Sequence, residues 1–315
     1  MQFPVISEAE RITRLQPPTG KVQMVLDTDT YNEVDDQFAI VQALLSPEKL
    51  EVLALYAAPF FNDRSTGPAD GMEKSYEEIL RLLARLDVPS AGLVFRGSEH
   101  YLPDGDHPVE SAAAYDLVAK ALARRESDDP LYVVAIGAIT NVASALLLAP
   151  EIIRRIVVVW LGGHAFHWPD TREFNMWQDP PASRVILDSG VPLVQIPVMG
   201  VCSHLHTTIP EIERYVARRG AIGDYLAETV KSYHADHFAW SKVIWDIAAV
   251  SYLLDESWTP THLVHSPILT AQGTWSFDNG RHLIRSAYHV QRDPIFRDVF
   301  KKLEMRNKQE IRNEK

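Results

Sequence analysis

The chain has 315 residues, 46% of them hydrophobic and 23% charged, and its 31 Lys and Arg against 42 Asp and Glu give a formal net charge of −11. This size supports one large α/β domain or two modest ones, and the composition excludes a mainly disordered chain. The acidic balance excludes sequence-independent nucleic-acid binding and docking on an anionic membrane, since both need a basic surface. The single cysteine, Cys202, allows no intramolecular disulfide and no Cys-based zinc site. The longest stretch without charged or strongly polar side chains, Val52 to Phe61, is too short for a membrane span of roughly 20 residues. The N-terminus has no long apolar core after a basic start, so no secretory signal is expected and the expected compartment is the cytoplasm.

In chain order, residues 1–20 are mostly polar and end in Pro17-Pro18-Thr19-Gly20, which reads as an N-terminal extension with a turn. Val22 to Leu26 is a short apolar run before Asp27, hence a buried strand. From Asp36, Phe38, Ala39, Val41, Leu44 and Leu45 recur at helical spacing. Leu50 to Ala58 predicts a strand, Tyr76 to Leu86 a helix, Gly92 to Phe95 a strand and Ala112 to Arg124 a helix. Strands at Leu131 to Ile136, Val157 to Leu161 and Leu193 to Val198 alternate with helices at Asn141 to Leu148 and Pro181 to Asp188. Residues 209–257 read as mostly helical. Ile268 to Thr274 and His282 to His289 flank Asp278-Asn279-Gly280 as a hairpin, and Asp293 to Leu303 closes the domain as a helix. The rhythm predicts an α/β fold with an open, mostly parallel sheet flanked by helices, a single domain over 21–305, and a charged, frayed tail at 306–315. In such a sheet ligands bind beyond the carboxyl ends of the strands.

Directly after the first strand comes Asp27-Thr28-Asp29-Thr30-Tyr31-Asn32-Glu33-Val34-Asp35-Asp36. Carboxylates crowded together need a cation or shifted pKa values, and all-oxygen ligation points to Ca²⁺ or Mg²⁺. The competing reading makes Asp35 or Asp36 a helix cap and leaves the others solvated. The segment is not an EF-hand, because Asn32 and Phe38 stand where Gly and Glu are needed. It is not a haloacid-dehalogenase motif, because Tyr31 stands where Thr is needed, and Gly71-Met72-Glu73-Lys74-Ser75 is not a P-loop.

With these residues the chain resembles the inosine–uridine-preferring nucleoside hydrolase family, whose motif is Asp-x-Asp-x-x-x-Asp-Asp before a helix. Asp27, Asp29, Asp35 and Asp36 match in type and order, with a loop two residues longer between the second and third. Three further blocks resemble the family in order: Gly137-Ala138-Ile139-Thr140-Asn141, then Gly162-Gly163 with Glu173-Phe174-Asn175 and Asp179-Pro180, then Trp245-Asp246 before Ala248-Ala249-Val250. The resemblance implies a Rossmann-like open α/β sheet and Ca²⁺-dependent hydrolysis of ribonucleosides to free base and ribose. It implies Asp29 as Ca²⁺ ligand and general base, Asp36 as bidentate ligand, and the Thr140 carbonyl and Asp246 as the remaining ligands. Asp35, Glu173 and Asn175 would bind ribose hydroxyls and Asp27 would support the site from behind. Family members are commonly dimers or tetramers, so a homo-oligomer is expected.

The match departs from the family in four places. Trp245 stands where many members have a histidine thought to protonate the leaving base, and either stacks on the base or packs beneath the site. Asn62 is out of register with the asparagine after the family's second strand and serves only if its loop shifts. His167 takes about the position of a ribose-binding asparagine, as a contact or as a loop residue. Tyr233 and His237, four apart on one helical face, form a flap over the base or simply pack. His204 and His206 lack a third ligand, so no zinc is expected there. A non-catalytic nucleoside- or ribose-binding relative is the alternative, and a metal-dependent phosphatase a third reading.

Overall fold

Segments such as LYVVA and IVVVWL offer no polar face, so each must be covered on both sides. Every residue of Leu131–Ala135 and Ile156–Leu161 is buried. The structure, a computed structural model, describes residues 3–313. In chain order its elements are α1 (Glu8–Arg14), β1 (Val22–Thr28), α2 (Val34–Leu44), β2 (Leu50–Ala57), α3 (Pro68–Arg85), β3 (Val94–Arg96), α4 (Ala112–Leu122), β4 (Leu131–Ala135) and α5 (Thr140–Leu148). There follow β5 (Ile156–Leu161), α6 (Phe174–Gln178), α7 (Pro180–Asp188), β6 (Leu193–Ile196), β7 (His206–Thr208), α8 (Ile209–Tyr215), α9 (Gly220–Ser232), β8 (Ser241–Val243) and α10 (Ile247–Leu254). The last are β9 (Thr261–His265), β10 (Ile268–Leu269), β11 (Trp275–Ser276), β12 (Leu283–Ala287) and α11 (Arg292–Asn313).

The central sheet has eight strands in the order β3-β2-β1-β4-β5-β6-β12-β9. All neighbours pair in parallel except β12 and β9. Alternation along β1 divides the core. Met24 and Leu26 join apolar residues of α2, α3, α9, α10 and α11 on one face, whereas Val25 joins those of α4, α5 and α7 on the other. The order of strands reverses between β1 and β4, so the chain leaves their carboxyl ends in opposite directions and opens a crevice there.

Three local expectations change. The polar N-terminal segment contains α1, capped by the Ser7 hydroxyl, which accepts from the Glu10 N–H. Two apolar anchors, Ile6 and Leu15, are buried on either side of it, and the Arg11 guanidinium donates to the Gly190 carbonyl. Those anchors outweigh the polar composition between them. The closing helix runs on to Asn313, because Arg306 pairs with Glu310 at 2.7 Å one turn on and with Asp87 at 3.0 Å across the surface. Asp278-Asn279-Gly280 is not a hairpin turn. The Asp278 carboxylate accepts from the Gly280 N–H at 2.8 Å, a local turn between β11 and β12. The hairpin lies earlier, where β10 pairs antiparallel with β11 around Gly273 at φ 72°, a left-handed conformation suited to glycine. Within the largely helical stretch, β7 and β8 form a separate antiparallel pair.

Candidate active site

The crevice is a cavity of about 650 Å³, lined by Asp29, Asp35 and Asp36 after β1, Asn62 after β2, Glu173 and Asn175 after β5, Tyr233 after α9, and Trp245 and Asp246 before α10. Its volume suits a small organic ligand. Thr140 and Asp27 lie behind this lining, fully buried. His167 and His237 fall outside it. His167 is exposed beside Trp168, with ring centres 6.5 Å apart, and His237 bonds the Lys231 carbonyl through Nε2 at 3.0 Å. A larger hollow of about 1140 Å³ at the opposite ends of the strands has a mixed lining that includes Lys21, Arg124, Glu126 and Asp128; the buried carboxylate cluster lies in the smaller one.

Asp29, Asp35, Asp36 and Asp246 are each no more than 3% exposed. Asp35, Asp36 and Asp246 each present an oxygen within 4.8 Å of the others, an arrangement that can hold a metal ion. The group includes Asp35, which the resemblance implies as a ribose contact, and does not include Asp29, which it implies as a ligand. The Thr28 hydroxyl donates to Asp36 at 2.5 Å, yet both Asp29 oxygens and Asp35 Oδ1 are buried without a hydrogen-bond donor. Burial, reinforced by neighbouring carboxylates, holds Asp29, Asp35 and Asp246 well above the ordinary carboxylate range. Burial pushes Asp36 to about 7 despite hydrogen bonds that favour its charge. Orphaned acceptors in such a cluster are the complement of a hard cation bound by oxygen.

The floor beneath the cluster is tied together by Asn141. Its Nδ2 donates to Asp27 Oδ1 at 2.7 Å, and its Oδ1 accepts from the Ser98 N–H at 2.7 Å and hydroxyl at 2.9 Å. Burial raises Asp27 to about 7. Gly137 backs onto Asp29: a Cβ there would lie 3.1 Å from the Asp29 N and Oδ1 and 3.2 Å from the Ala58 Cβ. Thr140 opens α5, and its hydroxyl donates to Asp179 Oδ2 at 2.7 Å. That carboxylate also caps α7 through the Ala182 N–H at 3.0 Å.

Glu173 caps α6, accepting from the N–H groups of Gly163, Asn175 and Met176 at 2.8–3.0 Å. Burial still raises it to about 7. Asn175 lines the cavity, and its Nδ2 donates to the Leu161 carbonyl at 3.0 Å. Asn62 reaches the lining because its Nδ2 donates to Asn32 Oδ1 at 2.7 Å, joining the loops after β1 and β2. The remaining lining includes His164, Asn32, Glu33, Arg64, Arg172 and Met199, none of which the motif reading singled out. Arg64, Arg172 and Met199 carried no positional signal; Asn32 and Glu33 lie inside the acidic segment, and His164 directly follows Gly162-Gly163. Burial lowers its pKa, and its Nδ1 accepts from the Met199 N–H at 3.3 Å.

The family profile described as inosine-uridine preferring nucleoside hydrolase matches residues 24–297. The pyrimidine-specific ribonucleoside hydrolase of Salmonella typhimurium is 32% identical over 239 residues, which cover 68% of this chain and 72% of that one. Its counterpart in Citrobacter koseri is 31% identical over 228 residues, 64% of this chain and 69% of that one. Among solved structures, the purine-preferring ribonucleoside hydrolase from Gardnerella vaginalis superposes with a TM-score of 0.72 at 21% identity, over 91% of this chain and 99% of that one. The inosine-uridine preferring nucleoside hydrolase of Bacillus anthracis superposes at 0.64 and 17% identity, over 91% of this chain and 99% of that one; both likenesses bear on the fold. By profile and by identity, the chain belongs to the inosine-uridine preferring nucleoside hydrolase family.

Proposed function

We propose that the chain hydrolyses the N-glycosidic bond of ribonucleosides to free base and ribose, with a Ca²⁺ ion held by Asp29, Asp36, Asp246 and the Thr140 carbonyl. The observation that carries this is the set of buried carboxylate oxygens without donors at the end of β1. When bound, the ion supplies a held water of lowered pKa. Asp29 accepts a proton from the attacking water. The water oxygen bonds to C1′, the C1′–N bond breaks, and its electron pair leaves with the base. The transition state carries positive charge on the sugar, which a pocket of carboxylates favours. Asp35, Glu173 and Asn175 accept or donate hydrogen bonds to ribose hydroxyls, while Trp245 and Tyr233 offer faces to the base. His164 is nearer to the sugar-reading role than the exposed His167. We further propose a cytoplasmic homo-oligomer, a dimer or tetramer. No helix among the described residues is long and apolar enough to cross a membrane.

The test is turnover by purified protein of p-nitrophenyl riboside, its 2′-deoxy analogue and p-nitrophenyl phosphate. The riboside is cleaved, the deoxyriboside on the order of 10² more slowly because buried groups lose their partner, and the phosphate is untouched. Cleavage of the phosphate alone contradicts the proposal.

A further inference from the structure

The family site leaves open what assists the departing base, since the Trp245 indole N–H is no acid at working pH and His237 lies outside the cavity. Arg64 is a lining residue of that cavity. Its backbone is pinned on both sides: its N–H donates to Asn62 Oδ1 at 2.9 Å, and its carbonyl accepts from Lys74 Nζ at 2.8 Å. Among the described residues its guanidinium meets ring faces and a hydroxyl, and no carboxylate. It stands 5.0 Å from the Tyr31 ring centre and 5.6 Å from that of Tyr233, with the Tyr233 hydroxyl 3.5 Å from Nη1. Most of its N–H donors are therefore uncommitted. The other lining arginine, Arg172, differs: it donates from Nε and Nη2 to the Gln272 carbonyl, at 3.1 and 2.8 Å.

We infer that Arg64 is a catalytic residue that binds the leaving base and stabilises it as an anion. This rests on the ribonucleoside reading above. When the C1′–N bond breaks without protonation, its electron pair spreads over the ring nitrogens and carbonyl oxygens of the base. A planar guanidinium donates to such edge acceptors with two parallel N–H bonds. It stays charged across the working pH range, so it supplies charge and not a proton; the base takes its proton from water after release. Carboxylates beside the sugar and a cation beside the base then polarise the breaking bond in the direction it must go. Tyr31 and Tyr233 hold the guanidinium by cation–π contact without neutralising it, as a carboxylate would.

The experiment compares wild type, Arg64→Gln and Arg64→Lys on p-nitrophenyl riboside and on uridine or inosine, whichever the wild type cleaves faster. In Arg64→Gln, kcat on the nucleoside falls at least about 30-fold, while kcat on the activated riboside, whose leaving group needs little help, stays within about threefold. Arg64→Lys, which keeps charge but not the fork, falls between. Equal losses on both substrates, or nucleoside turnover within about twofold of wild type, overturn the role of Arg64 and leave the hydrolase reading standing. A wild type that cleaves only the activated riboside also overturns it. A folded wild type that cleaves neither substrate overturns the hydrolase reading and Arg64 with it.

Discussion

Asp29, just past the end of β1, is buried beside Asp35 and Asp36. A carboxylate directly after a buried strand is conspicuous in the sequence, and folding buries it with both oxygens lacking a donor. If it accepts the proton of the attacking water, Asp29→Asn lowers kcat by at least about 10²-fold, some 2.7 kcal/mol of transition-state stabilisation, with the fold retained. Far-ultraviolet circular dichroism and steady-state kinetics check both halves, and near-wild-type turnover would remove Asp29 from the chemistry. His237 makes the contrast. Its Nε2 is engaged by the Lys231 carbonyl, so His237→Ala should leave nucleoside turnover within about threefold of wild type. A large kcat loss specific to nucleosides would show that the segment folds over the base during turnover. The four aspartates were legible because their types and order form a motif. Arg64 was not, because a lining position on a loop is set by how neighbouring loops fold together, here through the Asn62–Asn32 hydrogen bond.

At the scale of elements, strand ends aim the chemistry and close backbone contacts fix it. The bare Cα of Gly137, just past β4, leaves room for Asp29 at the end of β1. A methyl group there would sit 3.1 Å from Asp29 Oδ1, tighter than ordinary van der Waals contact, so Asp29 or the β4 loop must give way. Gly137→Ala is expected to fold, to lose activity by about tenfold or more, and to weaken cation binding, since sub-ångström misplacement is costly in a preorganised site. Calorimetric titration with Ca²⁺ beside kinetics checks this, and unchanged affinity with unchanged turnover would contradict it. The parallel strands were legible because runs such as IVVVWL are apolar throughout, which only a sheet covered on both faces accommodates. Helix α1 was not, because its stability comes from Ile6 and Leu15 docking at a distance and from the Arg11–Gly190 contact, which no local pattern encodes. The supposed turn at Asp278-Asn279-Gly280 shows the converse: the local signal is real, but the antiparallel partner of β12 is β9, earlier in the chain.

For the molecule as a whole, the crowded carboxylates couple folding to pH and, under the proposed function, to a cation. Asp27 and Asp36 are raised to about 7 in the folded state, against about 3.9 for an unfolded aspartate. A raised carboxylate contributes stability that is complete below its unfolded value and is lost as pH rises through its folded value. Cation-free protein should therefore melt at a lower temperature near pH 8 than near pH 5. Ca²⁺ added at one fixed concentration, about 100 times its Kd at pH 8, should restore roughly 2.7 kcal/mol there, with a smaller gain near pH 5, where the ligands must first lose protons. Thermal scans at both pH values with and without Ca²⁺ check it; a gain confined to low pH would contradict it. The most direct measurement of the central claim is ribose release from uridine and inosine by protein stripped with a chelator and then reloaded with Ca²⁺. Stripped protein should release almost none, and reloading should restore release of ribose and free base in equal amounts. Undiminished release after stripping, or none from either nucleoside by folded, reloaded protein, would contradict the account.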